Sequence, residues 1–285
     1  MAYSPTLGGT NTATAFPLQF PDARISDLSL STTIIHQLSN DGKETIVSHG
    51  TGFFWRHNGT VFLITARHVL SGRDPFDDAP MSPMGYIPTT FRVFPTAELL
   101  PDTWRRVMVQ FEIDQSNETP FLQDPKFNEL RTDIAAKSIA FSPDIDVKCI
   151  NDAPDIFEPV MSHVGFECSI LGYPQTNLGG LMTPIWRRGT FASEPLLPVD
   201  EKPMFLLDAA TSPGFSGAPV FRRHIGPAPI QQPDGTINVL ADRVVTTSFV
   251  GVYAGRLRHV HVGGEVPFVF YGNRIPFILS GSIAP

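Results

Sequence analysis

Short runs of apolar and β-branched residues alternate with turn residues along most of the chain. Three such runs lie near the amino terminus, at 32–38, 45–55 and 61–65, with Asn40-Asp41-Gly42 and Asn58-Gly59 between them. Runs of this length, separated by Asn and Gly turns, are typical of strands joined in hairpins. The first 70 residues are therefore predicted to form an antiparallel β-meander.

The strand pattern weakens after residue 70 and returns further along the chain. Between 71 and 130, a segment rich in Pro and Asp, only 106–113 has the pattern of a strand, so we expect a long inserted loop there. Helices are disfavoured because 27 prolines interrupt them. The chain is thus predicted to be all-β. Later strands are predicted at 133–141, 146–150, 164–172, 186–192, 204–209, 218–222, 244–254 and 266–271.

Composition and charge exclude several classes of partner. With 21 basic and 28 acidic side chains, the net charge is −7, and without a basic block this disfavours nucleic acid. The apolar runs fall well short of the roughly 20 residues that span a bilayer, so we expect no membrane partner. Cys149 and Cys168 are too few and too scattered for a disulfide framework. Together with an amino terminus that lacks a secretion signal, this predicts a cytoplasmic protein.

A serine between glycines is the sharpest local motif. Ser216 stands in Gly214-Phe215-Ser216-Gly217, directly before an apolar strand. The N–H groups of Gly214 and Ser216 could point into one pocket and hold an oxyanion, and each such donor contributes about 2.7–4 kcal/mol to catalysis. An ordinary surface turn is the alternative interpretation of this string on its own.

A histidine follows the third strand of the predicted meander. A serine hydroxyl needs a neutral imidazole within hydrogen-bond reach to take its proton, and His68 suits that role. A carboxylate must then orient the imidazole and stabilise its protonated form. Asp133, Asp144 and Asp146 lie between the histidine and the serine, and each is a candidate.

These motifs together resemble those of the trypsin-like serine peptidases, including bacterial members of the HtrA type. Residues 65–69 (TARHV) are similar to the family's histidine block, and 133–135 (DIA) to its aspartate block. Residues 208–220 (DAATSPGFSGAPV) are similar to the serine block, and 170–174 (ILGYP) to the turn that precedes it. The likeness extends from about residue 32 to 271 and favours Asp133 over Asp146.

The resemblance implies two antiparallel β-barrels with a cleft between them. We expect an N-terminal extension over 1–30, a first barrel over 31–155 with His68 and Asp133, and a second barrel over 156–285 with Ser216. Protein or peptide substrates are implied, and no cofactor.

Two features of the chain bear on activation and specificity. Phe215 stands where digestive members carry an aspartate, so activation by an N-terminal ion pair is not expected. The resemblance implies a specificity pocket with its floor at Ala210 and Thr211 and its wall at Tyr253 and Gly255. Because this floor has no carboxylate, we expect a small, apolar or uncharged polar residue before the cleaved bond. The neighbouring Arg256 leaves an acidic residue open.

Three rival interpretations are weighed against this hypothesis. An α/β-hydrolase would need G-x-S-x-G, whereas Ala218 occupies the second glycine position, and its triad order differs. His259 and His261 share a strand face but lack further metal ligands, so no metal site is predicted. A peptidase-fold binding module without activity is the remaining alternative.

Overall fold

The computed structural model describes residues 14–17, 25–41, 43–100, 103–117, 119–141, 145–157, 160–174, 183–232, 234–241, 245–259 and 264–282. Asp144 and His261, both weighed above, lie outside these residues. The first eight strands are β1 (Thr14–Pro17), β2 (Thr32–Leu38), β3 (Ile46–His57), β4 (Thr60–Thr65), β5 (Thr90–Val93), β6 (Thr96–Leu100), β7 (Thr103–Glu112) and β8 (Leu122–Gln123). They are followed by β9 (Ala135–Ser138), β10 (Asp146–Val147), β11 (Glu167–Gly172), β12 (Ile185–Phe191), β13 (Met204–Ala209), β14 (Pro219–Ile225), β15 (Ala228–Gln231), β16 (Ile237–Leu240), β17 (Val245–His259) and β18 (Gly264–Tyr271).

Helices are few and short, as predicted. The described α-helices are α1 (Asp27–Leu30), α2 (Arg67–Ser71), α3 (Phe127–Leu130) and α4 (Ile275–Ser280), and short 3-10 turns span Ile150–Asp152, Pro154–Phe157 and Gly272–Arg274. In the part of the chain that the structure describes, no helix is long and apolar enough to cross a membrane.

The N-terminal half is one antiparallel sheet in which β2, β3 and β4 form the predicted meander. Asn58 and Gly59 both have positive φ, 48° and 76°, as a tight turn between twisted strands requires. The strand order is β10-β6-β7-β5-β2-β3-β4-β9-β8, with β1 added to β7. Val147 of β10 and Ala135 of β9, from opposite ends of this order, belong to one core cluster. The sheet therefore encloses its own core.

The expected loop between 71 and 130 is smaller than predicted. Strands β5, β6 and β7 occupy most of 90–112 and complete the sheet between β2 and β10. The sequence hides β5 because it has only four residues, of which Phe91 and Val93 are buried. Irregular stretches within this segment include 72–89, 113–117 and 119–121.

The C-terminal half is a closed barrel of six strands in the order β11-β12-β13-β18-β17-β14. An apolar cluster that includes Phe205, Phe215 and Val269 fills it. A further cluster joins Phe53 and Ile64 of the first half to Phe221 and others of the second, so the two halves pack through apolar side chains. A closed barrel beside a large curled sheet agrees with the predicted two-barrel, all-β fold.

Candidate active site

His68 lies at the junction of β4 and α2, where the chain leaves the N-terminal sheet. The helix spans Arg67–Ser71 and is capped by Gly72, whose φ of 67° and N–H bond to the His68 carbonyl (2.9 Å) close the single turn. The His68 side chain is largely buried, with only 8% of the residue's surface exposed. One short helical turn thus holds the imidazole at the edge of the core.

Asp133 binds both the ring and the backbone of His68. With Nδ1 protonated, the ring donates to Asp133 Oδ2 at 2.6 Å, and the His68 backbone N–H donates to Oδ1 at 2.8 Å. Asp133 is fully buried immediately before β9. This two-point contact leaves Nε2 as the ring nitrogen able to accept a proton.

The other described carboxylate candidate lies elsewhere. Asp146 is mostly exposed, with 63% of its side chain accessible, and forms an ion pair with Arg56 at 3.0 Å. The structure therefore brings Asp133, and not Asp146, to His68.

Two opposing effects act on the pKa of His68. Burial lowers it, but the charge of Asp133 and its hydrogen bond act in the other direction, with a smaller contribution from Asp74. The net result is a pKa above the usual value of 6.5.

Ser216 lies in the loop between β13 and β14, and the first half of the molecule holds this loop from outside. The Thr51 N–H donates to the Ser216 carbonyl at 2.8 Å, and Thr51 Oγ1 donates to the Gly214 carbonyl at 2.7 Å. Gly217, with φ of 87°, has no room for a side chain because a Cβ there would lie 2.1 Å from the Thr51 carbonyl oxygen. The loop is thus clamped between the two halves.

Phe215 anchors the same loop from inside. Its side chain is fully buried in the core of the C-terminal barrel. It packs so closely on Gly172 that a Cβ there would lie 2.4 Å from the phenyl ring. An apolar anchor therefore precedes Ser216.

Ser216 and His68 face two shared cavities, one on each side. A cavity of about 560 Å³ extends along the first half past His49, Val69 and Met81. A second, of about 260 Å³, extends along β17 of the barrel. Ser216 Oγ donates to the Ala254 carbonyl at 3.4 Å and makes no hydrogen bond with His68. Such bonds are often long before substrate binds.

The residues predicted for the specificity pocket lie near the smaller cavity. Tyr253 and Gly255 line it together with Ser212 and Pro213, whereas Ala210 and Thr211 are not among its lining residues. Thr211 Oγ1 is hydrogen-bonded to the Tyr253 hydroxyl at 2.7 Å.

Sequence reasoning missed several residues around the site. Thr51 lies within β3, in the segment Gly50-Thr51-Gly52. No pattern in the neighbouring sequence indicates that its hydroxyl reaches the serine loop. Glu265 pairs with Arg256 at 2.6 Å, and both line the smaller cavity. Among the described residues, no group of three or more potential metal ligands is present.

The sequence model of the trypsin-like peptidase domain matches residues 50–226, and the chain belongs to this family of serine proteases. Peptide-bond hydrolysis and protein or peptide substrates are what the family implies. No curated protein matches the chain by sequence.

Solved structures of proteases are similar to this chain over most of its length. Deg5 has 13% identity and a TM-score of 0.47, covering 90% of this chain and 92% of its own. The HtrA-type protease AlgW, solved with a tripeptide, has 12% identity and a TM-score of 0.45, covering 90% of this chain and 63% of its own. The Rv3671c protease in an inactive form has 17% identity and a TM-score of 0.41, covering 90% and 91%.

Proposed function

We propose that the chain is a serine endopeptidase in which Ser216 is the nucleophile, His68 the general base and Asp133 the residue that orients His68. The observation that carries the proposal is the two-point bond from buried Asp133 to His68, beside the cleft that His68 shares with Ser216. The proposal assigns the reaction to an acyl-enzyme pathway.

Asp133 already orients His68 as a general base before substrate binds. Because Asp133 accepts from Nδ1, Nε2 is free to take the Ser216 proton as Oγ attacks the carbonyl carbon. The resulting imidazolium is stabilised by the carboxylate, and it then returns the proton to the leaving amine. Water repeats the sequence to release the acyl group.

Two backbone donors are available for the oxyanion. Within the described residues, neither the Gly214 N–H nor the Ser216 N–H donates to another protein group. Gly214 has φ of 99°, a conformation that favours glycine. Each donor aimed at a developing oxyanion contributes about 2.7–4 kcal/mol.

The edge of β17 offers a binding surface for the substrate backbone. The pairing of β17 with β14 ends at Val252 and Pro219. Among the described strands, none pairs with this edge of β17 from Ala254 onward. An extended peptide placed here carries its residue before the cleaved bond into the 260 Å³ cavity beside Ser216.

A fluorophosphonate probe tests the nucleophile directly. Intact mass should show one adduct on the wild type and none on Ser216→Ala. The matched control is Ser280→Ala, an exposed serine far along the chain in α4, which should be labelled like the wild type. His68→Ala should also lose the adduct while remaining folded.

Each outcome assigns the site differently. An adduct that persists on Ser216→Ala contradicts the assignment of the nucleophile. A folded wild type that forms no adduct and cleaves no peptide would leave the binding module as the better interpretation.

A further inference from the structure

The smaller cavity beside Ser216 contains a charged pair that the triad does not use. Arg256 Nη1 lies 2.6 Å from Glu265 Oε2, and the two side chains are 34% and 36% exposed. Both line the cavity together with Ser216. A partly buried ion pair in the wall of a substrate cavity affects which charged groups can enter it.

The pair is held by the geometry of β17 and β18. Arg256 pairs with Pro267 and Arg258 with Glu265, so Arg256 and Glu265 are diagonal neighbours across the two strands. The bulge between Tyr253 and Gly255 shifts the register just before the pair. The position of Arg256 in the cavity therefore follows from the sheet.

Neutral polar groups make up the neighbouring wall. Ser212 lines the cavity, and its Oγ is buried and has no hydrogen-bond partner among the described residues. Burial raises the pKa of Tyr253, although its bond with Thr211 acts the other way, so the phenol is uncharged at neutral pH. A buried hydroxyl without a partner favours a ligand that supplies one.

The opposite wall also carries a charge. Asp74 lines the cavity from the first half, and its carboxylate accepts from the N–H groups of Phe76 and Asp77 at 2.8 and 3.3 Å. Its charge lies beside His68, whose pKa it helps to raise.

We propose that the Arg256–Glu265 ion pair sets the specificity of this cavity for an uncharged, hydrogen-bonding side chain, the carboxamide of Gln or Asn, before the cleaved bond. This inference rests on the proposed function. A carboxamide can both donate and accept, so it bonds to Ser212 Oγ and the edge of the pair without separating Arg256 from Glu265. A carboxylate competes with Glu265 for Arg256, and an ammonium group competes with Arg256 for Glu265. An apolar side chain leaves the Ser212 hydroxyl unpaired.

The two partners give opposite predictions, which makes the test sharp. A peptide library varied at the residue before the cleaved bond should give the highest kcat/KM for Gln or Asn with the wild type. Glu265→Gln should raise the Glu-to-Gln ratio at least about tenfold, because Arg256 loses its partner. Arg256→Gln should raise the Lys-to-Gln ratio in the same way. The double variant removes both charges and should again prefer uncharged polar residues before the cleaved bond.

Unchanged profiles in both single variants would overturn the proposal, as would a wild-type preference for Lys or Arg, which would assign the dominant charge to Asp74. Failure of the proposed function looks different, since no peptide would then be cleaved by any variant. In that event, product peptides ending in Gln, Glu or Lys are titrated onto Ser216→Ala by calorimetry, and the same order of affinities should hold. A different order would overturn the specificity proposal by itself.

Discussion

The two sides of the candidate active site are held by different forces. On the N-terminal side, His68 is fixed by two hydrogen bonds to a fully buried carboxylate. On the C-terminal side, the Ser216 loop is fixed by the apolar anchor Phe215 in the barrel core and by two hydrogen bonds from Thr51. The base therefore depends on a buried carboxylate, whereas the nucleophile depends on a buried apolar side chain together with hydrogen bonds from the other half. Substitutions on the two sides should separate catalysis from stability.

The largest effect is expected on the polar side. Asp133→Asn keeps the shape of the side chain but removes the charge and favours the wrong His68 tautomer, so kcat should fall about 10⁴-fold with little loss of folding. The measurement is probe-labelling rate and peptide turnover, with the melting temperature as a check. The matched control is Asp146→Asn, which touches Arg56 on the surface and should retain activity. A loss of activity in Asp146→Asn, together with full activity in Asp133→Asn, would assign the orienting carboxylate to Asp146 instead.

Packing on the serine side predicts a different signature. Phe215→Ala should lower the free energy of unfolding by about 3–5 kcal/mol, because it empties a fully buried site. Probe labelling of the remaining folded protein should also slow, since the Gly214 and Ser216 N–H groups lose their support. Denaturant unfolding measures the first effect. Phe215→Leu should recover most of the stability, and Leu196→Ala, at a residue 78% exposed, should change little. Normal labelling by folded Phe215→Ala would show that the anchor does not position the loop.

The contrast also explains what the sequence could and could not predict. Alternating apolar residues and turns indicated the meander and the position of His68, because those signals are local. The residues alone left three candidates for the carboxylate, and only the family resemblance favoured Asp133. The contact itself joins His68 and Asp133 across 65 residues and depends on how β4 and β9 pair. Strands β5 and β6 were hidden by their shortness. The Arg256–Glu265 pair needed the register of β17 and β18, which the bulge changes.

Thr51 connects the two sides, and its substitution is expected to have an intermediate effect on the free energy of unfolding. Its hydroxyl donates to the Gly214 carbonyl at 2.7 Å and accepts from the Tyr173 N–H at 3.0 Å. Thr51→Val preserves shape but leaves both buried groups unpaired, which should cost about 1–3 kcal/mol of unfolding free energy. Thr51→Ser keeps the hydroxyl and is the matched control. If the valine and serine variants unfold at the same denaturant concentration, the hydroxyl bridge contributes nothing measurable.

The smallest expected effect concerns pH. Because the pKa of His68 is raised above 6.5, mainly by Asp133 acting against burial, kcat/KM should fall with decreasing pH along a limb whose midpoint lies above 6.5. The direction follows from the chemistry, since protonated His68 cannot accept the Ser216 proton. The same raised pKa makes protonation stabilise the fold at acid pH, a contribution that is lost as the pH rises through the pKa of folded His68.

Asp74 also raises this pKa without touching the ring, so Asp74→Asn should move the kcat/KM midpoint downward by less than the loss of Asp133 would. A midpoint that is unchanged in Asp74→Asn would show that Asp133 alone sets the charge of the base, and the polar side of the site would then reduce to a single contact.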